Sequence, residues 1–182
     1  MAGLTTKELG LIEDNLRQEH LMVQKYNMYA NQVKDPEIKN LCQQLRDLHQ
    51  SHTDILMKHL NRSIENAVKK PRKGVSHLTQ NQLDDQLCVE DVLSSQKFLS
   101  SNYNTAVQEA ANPKLRKDLM EIQRQEQDAA QKVFSYMSQK GWYKVSPADP
   151  QMIDNARMKA QQQIGGQARM PGGAGREERQ FL

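Results

Sequence analysis

Leu9, Ile12, Leu16, Glu19, Val23, Tyr26, Ala30 and Val33 follow one another at alternating steps of three and four residues. That spacing puts them on one face of a long helix. Thr5, three residues ahead of Glu8, supplies a capping box at its start. A second helix opens at Asp35-Pro36-Glu37, with Asp as a good cap and Pro suited to the first helical position. Its seam runs Ile38, Cys42, Leu45, His49, His52, Leu56 and His59. The connection between the two is short, so they must run antiparallel. A third helix carries Val89, Leu93, Gln96, Ser100, Tyr103 and Val107, with Val92, Leu99 and Ala106 widening the face. It ends near Asn112-Pro113, and a fourth follows with Leu115, Leu119, Ile122, Glu126, Ala129, Val133 and Met137. Gly141 offers a left-handed stop. Trp142 and Tyr143 are expected to fold back on the bundle end.

The two halves align without a gap at an offset of 77 residues: Ile12 falls on Val89, Leu16 on Leu93, Tyr26 on Tyr103, Asp35-Pro36 on Asn112-Pro113, Leu45 on Ile122 and Leu60 on Met137. Matching caps, turns and core positions indicate a duplicated hairpin. Between the copies, Pro71, Gly74 and the basic run Lys69, Lys70, Arg72 and Lys73 read as a long crossover. Two hairpins joined in this way give an all-α, ferritin-like four-helix bundle. The expected bundle is 1–145, with hairpin 1 at about 5–61, the crossover at 62–81 and hairpin 2 at about 82–140. Residues 146–182 are expected to form a loose, partly disordered C-terminal tail. Within it, 149–163 is either a short helix or loose, and the Gly-, Gln- and Arg-rich stretch 165–182 is expected to be disordered.

Composition agrees with this reading. In 182 residues, a 37% hydrophobic content provides for one domain with a core plus a tail, and the 5% aromatic content favours helix over sheet. The net charge of +3, from 25 basic and 22 acidic residues, is too even to argue for nucleic acid. No aromatic residues interleave the basic run, which therefore reads as a solvated loop. Apolar runs are too short for a membrane span, and MAGLTTKELG lacks a secretory apolar stretch. Cys42 and Cys88 make no disulfide framework and fit a reducing cytosol. Cys42 reads as a small buried apolar group and Cys88 as a free thiol.

Polar residues interrupt the seams at matched positions. Glu19 and Gln96 are counterparts, as are His49 and Glu126, and His52 and Ala129. Ferritin-like carboxylate sites take one Glu from each of two helices and a Glu-x-x-His from each of the other two. Here the second half has Gln and Ala where ligands would stand. Carboxylates must bridge and offset two divalent charges, and Glu19 and Glu126 alone do not. Glu19, His49, His52 and Glu126 remain candidate ligands for a single ion, with zinc the natural fit. The alternative is a layer of groups hydrogen-bonded to one another and to Tyr26 or Tyr103, and on that reading no metal is expected. His20 and His77 fall off the seams, and His59 sits at a bundle end within reach of water. No catalytic or cofactor-binding residue and no cofactor is expected, since neither a phosphate loop nor a nucleophile–base pair is present.

The stretches LCVEDVLSSQKFLSSNYNTAVQEAANPKLRKDL and MEIQRQEQDAAQKVFSYMSQKGWYKV resemble the coat F family of bacterial spore coat proteins. The likeness is carried by Ser95-Gln96-Lys97, by Tyr103-Asn104-Thr105-Ala106, and by Phe134-Ser135-Tyr136-Met137 with Gly141-Trp142-Tyr143. It covers about residues 83–145. Family relatives often carry a His near the position of Ala129, where this chain departs. The resemblance implies a structural protein of the endospore coat, made in the mother-cell cytoplasm and deposited on the forespore. Its expected partners are other coat proteins, with a homodimer possible and neither nucleic acid nor membrane insertion involved. The alternative is a ferritin-like metal-binding oxidoreductase or metal-storage protein.

Overall fold

The computed structural model describes residues 3–60 and 83–166. The helices are α1 (Thr6–Gln32), α2 (Pro36–Leu60), α3 (Asp85–Glu109), α4 (Pro113–Gln139) and α5 (Pro150–Gly166), and no strand occurs among the described residues. The chain divides into two units, Met1–Tyr143 and Lys144–Leu182. In the second, α5 is exposed along the length for which burial is described. The expected crossover 62–81, its basic run, His77 and the stretch 167–182 lie outside the described residues.

Local chemistry starts each helix where the sequence places it. Thr5 and Glu8 form the reciprocal capping box. Asp35 accepts the Glu37 N–H at 2.7 Å ahead of Pro36, and Asn112 accepts from Lys114 and Leu115 ahead of Pro113. At the end of α4, Gly141 has φ 74°, a value that L side chains rarely tolerate, and Trp142 N–H returns to the Met137 carbonyl at 2.9 Å. Trp142 and Tyr143 do fold back, edge-on to Tyr136 and Phe134 at 5.9 and 5.1 Å between ring centres.

α1 packs on α2, α3 on α4, and the hairpins meet through α1 against α3 and α2 against α4. Lys7 pairs with Glu109 and Lys25 with Asp91, so α1 and α3 run antiparallel. His59 with Asp118 and Lys140 with Asp35 set α2 and α4 antiparallel as well. The last turn of α2 and the first turn of α3 therefore lie at opposite ends of the bundle.

The duplication shows directly in the turns. The buried Glu8 carboxylate accepts from the Asn112 N–H at 2.6 Å, and so ties α1 to the turn of hairpin 2. Its counterpart 77 residues on, Asp85, accepts from Lys34 and Asp35 in the turn of hairpin 1 at 3.0 and 3.1 Å. Each hairpin thus caps the other. Backbone donors from Thr5 and Asn112 hold the Glu8 pKa below the usual glutamate value. Its contribution is full above the unfolded value of about 4.5 and is lost as pH falls through the depressed folded value. Glu8→Ala is expected to lose about 2 kcal/mol at pH 7 in urea denaturation, with the gap to the parent narrowing in acid.

Apolar packing falls into two clusters. One gathers Tyr26, Ile38, Leu45, Val89, Leu99 and Val133 with their neighbours. The other gathers Ile12, Leu56, Tyr103, Leu115, Leu119 and Ile122. Between them the core is polar.

Candidate functional site

Five polar side chains, Glu19, His49, His52, Gln96 and Glu126, are fully buried at 0% exposure in that middle layer. Each of the four bundle helices sends at least one inward, because each occupies a seam position that would otherwise carry an apolar residue. One ligand atom from each of Glu19, His49, His52 and Glu126 lies within 4.8 Å of the others. The four candidate ligands of the sequence reading are therefore brought together.

Glu19 is the best-bonded member. His49 Nδ1 lies 2.6 Å from its Oε2, and the Tyr103 hydroxyl donates to its Oε1. On the other side of the pseudo-twofold, Gln96, the counterpart of Glu19, donates to the hydroxyl of Tyr26 at 2.8 Å. Each tyrosine thus reaches across to the opposite hairpin, one meeting a carboxylate and the other an amide. Gln96 Nε2 also lies 3.0 Å from His49 Nε2. His52 Nε2 lies 2.8 Å from the side-chain oxygen of Gln125.

Electrostatics follow from this crowding. Burial alone would raise the Glu19 carboxyl, but the hydrogen bond from His49 and the facing His52 imidazole outweigh it and hold its pKa at about 2. Burial also works against a charged His52, yet the facing carboxylates of Glu126 and Glu19 push its pKa up to about 10 in the metal-free layer. Desolvation raises Tyr26 and Tyr103, which stay protonated, Tyr103 donating to Glu19 and Tyr26 accepting from Gln96.

The expectation of mutual hydrogen bonding holds for Glu19 and both tyrosines but not throughout. His52 Nδ1 approaches Glu126 Oε1 at 3.1 Å and Glu19 Oε1 at 3.5 Å, but off a hydrogen-bond direction. His52 Nδ1, Gln96 Oε1 and both oxygens of Glu126 are buried without a hydrogen-bond partner.

Other expectations change in detail. His59 does not face water: its side chain is 7% exposed and Nε2 lies 2.8 Å from Asp118, a neighbour on α4 that its own seam does not reveal. His20 is exposed as expected. Cys88 is buried beside Cys42, whose thiol is held down by a hydrogen bond from Cys88. Gln125, off the α4 seam, was missed as a partner of His52. Its only signal is its place next to Glu126.

The chain matches the Coat F domain over residues 84–146, that is, α3, α4 and the aromatic turn after them. It is 31% identical over 86 residues to the uncharacterised protein YusN of Bacillus subtilis (strain 168), covering 47% of this chain and 78% of that one. A candidate spore coat protein of Bacillus halodurans C-125 is similar in structure, with a TM-score of 0.68, 13% identity, and coverage of 81% of this chain and 96% of that one. A two-domain protein of Anabaena variabilis, with DJ-1/ThiJ/PfpI-like and ferritin-like domains, is similar with a TM-score of 0.62 at 19% identity. That match covers 82% of this chain, which spans only 41% of the Anabaena protein. At these identities the structures show a shared ferritin-like fold and nothing finer. The chain belongs to the coat F family of bacterial spore coat proteins.

Proposed function

We propose that the chain is a structural component of the bacterial endospore coat, working by assembly with other coat proteins and without catalysis. The match of α3 and α4 to the Coat F domain carries this reading. On it, the protein is made in the mother-cell cytoplasm and deposited on the forespore surface. No described helix is long and apolar enough to cross a membrane.

The buried layer argues in the same direction. A ferritin-like oxidoreductase or metal-storage protein would need six ligands around a bridged metal pair. Gln96 is a neutral, poor ligand, Ala129 is none, and His49 stands where its counterpart is Glu126. Glu19 and Glu126 cannot bridge and offset four positive charges. The residues do not fit a metal pair.

Assembly has material on the surface. Leu21, Leu87 and Phe98 are more than half exposed. Exposed Lys7, Lys34, Lys117 and Lys144, with 22 Gln in the chain, provide partners for isopeptide cross-links that release ammonia. An antibody against the chain should find it in coat extracts of purified spores, and mass spectrometry of mature coats should show linked Gln–Lys peptides. A protein confined to the vegetative cytosol would overturn the assignment, and coats without such peptides would remove the cross-linking.

A further inference from the structure

We propose that Glu19, His49, His52 and Glu126 form a site for a single divalent transition-metal ion, zinc by its chemistry, held between the hairpins as a structural centre. The inference is independent of the coat assignment.

The first argument is the set of unpartnered atoms. Both oxygens of Glu126 and Nδ1 of His52 are buried without a partner, and they lie in the same cluster as ligand atoms of Glu19 and His49. A buried carboxylate without donors is costly, and native interiors rarely keep one. A cation placed among these atoms removes the cost at once.

The second argument is how the imidazoles are held. His52 Nε2–H donates to the Gln125 side-chain oxygen, which leaves Nδ1 as the nitrogen facing Glu126 Oε1 at 3.1 Å. A proton on Nδ1 meets that oxygen off a hydrogen-bond direction, whereas a metal ion between the two atoms takes a lone pair from each. For His49 the partner is the Gln96 amide, whose nitrogen and oxygen ends are interchangeable in shape. Turned over, Gln96 Oε1 accepts from both His49 Nε2–H and the Tyr26 hydroxyl. The turn satisfies the unpartnered oxygen and frees His49 Nδ1 as a ligand. Ligating histidines characteristically donate their other nitrogen to such an acceptor, and the Tyr103 hydroxyl orients Glu19 in the same manner.

The third argument is charge and spacing. Two carboxylates, two neutral imidazoles and one divalent ion sum to zero, whereas the bare layer buries uncompensated charge. A tetrahedral zinc with bonds of about 2.0–2.2 Å needs ligand atoms about 3.3–3.6 Å apart. His49 Nδ1 and His52 Nδ1 lie 3.5 and 3.1 Å from Glu126 Oε1, and His52 Nδ1 lies 3.5 Å from Glu19 Oε1, while the other Glu19 oxygen, Oε2, sits 2.6 Å from His49 Nδ1 and must move off it. With Gln96 and Ala129 opposite, there is room in the ligand count for one ion only.

The test uses the full chain, stripped with a chelator and titrated with zinc chloride by calorimetry and with cobalt(II) by visible absorption. One zinc per chain and the intense bands of four-coordinate cobalt are expected. Glu126→Gln and His52→Gln should each weaken zinc binding at least ~100-fold, beyond the loss from a typical outer-shell change. His20→Gln, at the exposed histidine, should leave it unchanged. Glu126→Gln should keep the apo fold by circular dichroism, because no group donates to that carboxylate. Two ions per chain, less than ~0.1 ion per chain, or unweakened binding in both variants would overturn the proposal. Where a variant fails to fold, the cobalt spectrum of the parent chain decides, and weak octahedral bands count against the site.

Discussion

Alanine at Glu19 should destabilise the metal-free bundle by about 3–5 kcal/mol, the range for breaking one partner out of a buried ionic network. Its carboxylate is fully buried, accepts from the Tyr103 hydroxyl, lies 2.6 Å from His49 Nδ1 and faces His52. Removing it leaves a phenol and an imidazole N–H without acceptors in a space closed to water. It also takes away one of the two charges that favour the His52 cation. Against a typical domain stability of about 5–15 kcal/mol, that is a large fraction. Glu19→Gln retains the shape and one acceptor oxygen, and should lose about 1–2 kcal/mol. Urea denaturation followed by circular dichroism, in chelator so that no metal contributes, measures both. A Glu19→Ala variant within about 1 kcal/mol of the parent would show that the layer carries no such network.

The second large effect lies in the apolar packing of α4. Ile122→Ala should cost about 2–5 kcal/mol, from lost burial plus the cavity left behind. Ile122 is 0% exposed, in the cluster with Ile12, Leu56, Leu115 and Leu119, whereas Met120, two residues away, is 54% exposed. Met120→Ala should therefore stay within about 0.5 kcal/mol of the parent. Equal losses at the two positions would mean that α4 is rotated from the orientation described.

Helix α4 shows how far periodicity reaches. Its whole predicted seam, from Leu115 to Met137, is buried. The caps at Thr5, Asp35 and Asn112 were also legible, because they depend on residues three or fewer positions apart. The seam of α1 was read less well: Leu9 is 40% exposed, while Glu8, Asn15 and Met22 are buried. Glu8 reads locally as a capping residue, and its second task, holding Asn112 from 104 residues away, leaves no local trace. Asn15 is tolerated inside because its amide bonds back to the Leu11 carbonyl at 2.8 Å.

For the site, the repeat mattered more than any motif. Aligning the halves singled out Glu19 with Gln96, His49 with Glu126 and His52 with Ala129. The antiparallel packing then brought Glu19, His49, His52 and Glu126 into one cluster. What sequence could not supply was the state of individual atoms. Spacing says which residues share a face, but not that Glu126 would be left without a donor or that Gln125 would hold His52. Those facts depend on how the second hairpin approaches the first. They favour the single ion over the purely hydrogen-bonded layer, the two readings that the sequence leaves open.

The account rests on residues from the two copies meeting in one shared layer, and the contact between Tyr103 of the second copy and Glu19 of the first tests this most directly. A double-mutant cycle of Glu19→Ala and Tyr103→Phe, measured by urea denaturation in chelator, should give a coupling of about 1.5–3 kcal/mol, as for a buried hydrogen bond to a charged acceptor. A coupling within about 0.5 kcal/mol of zero, the additivity expected of distant sites, would contradict it.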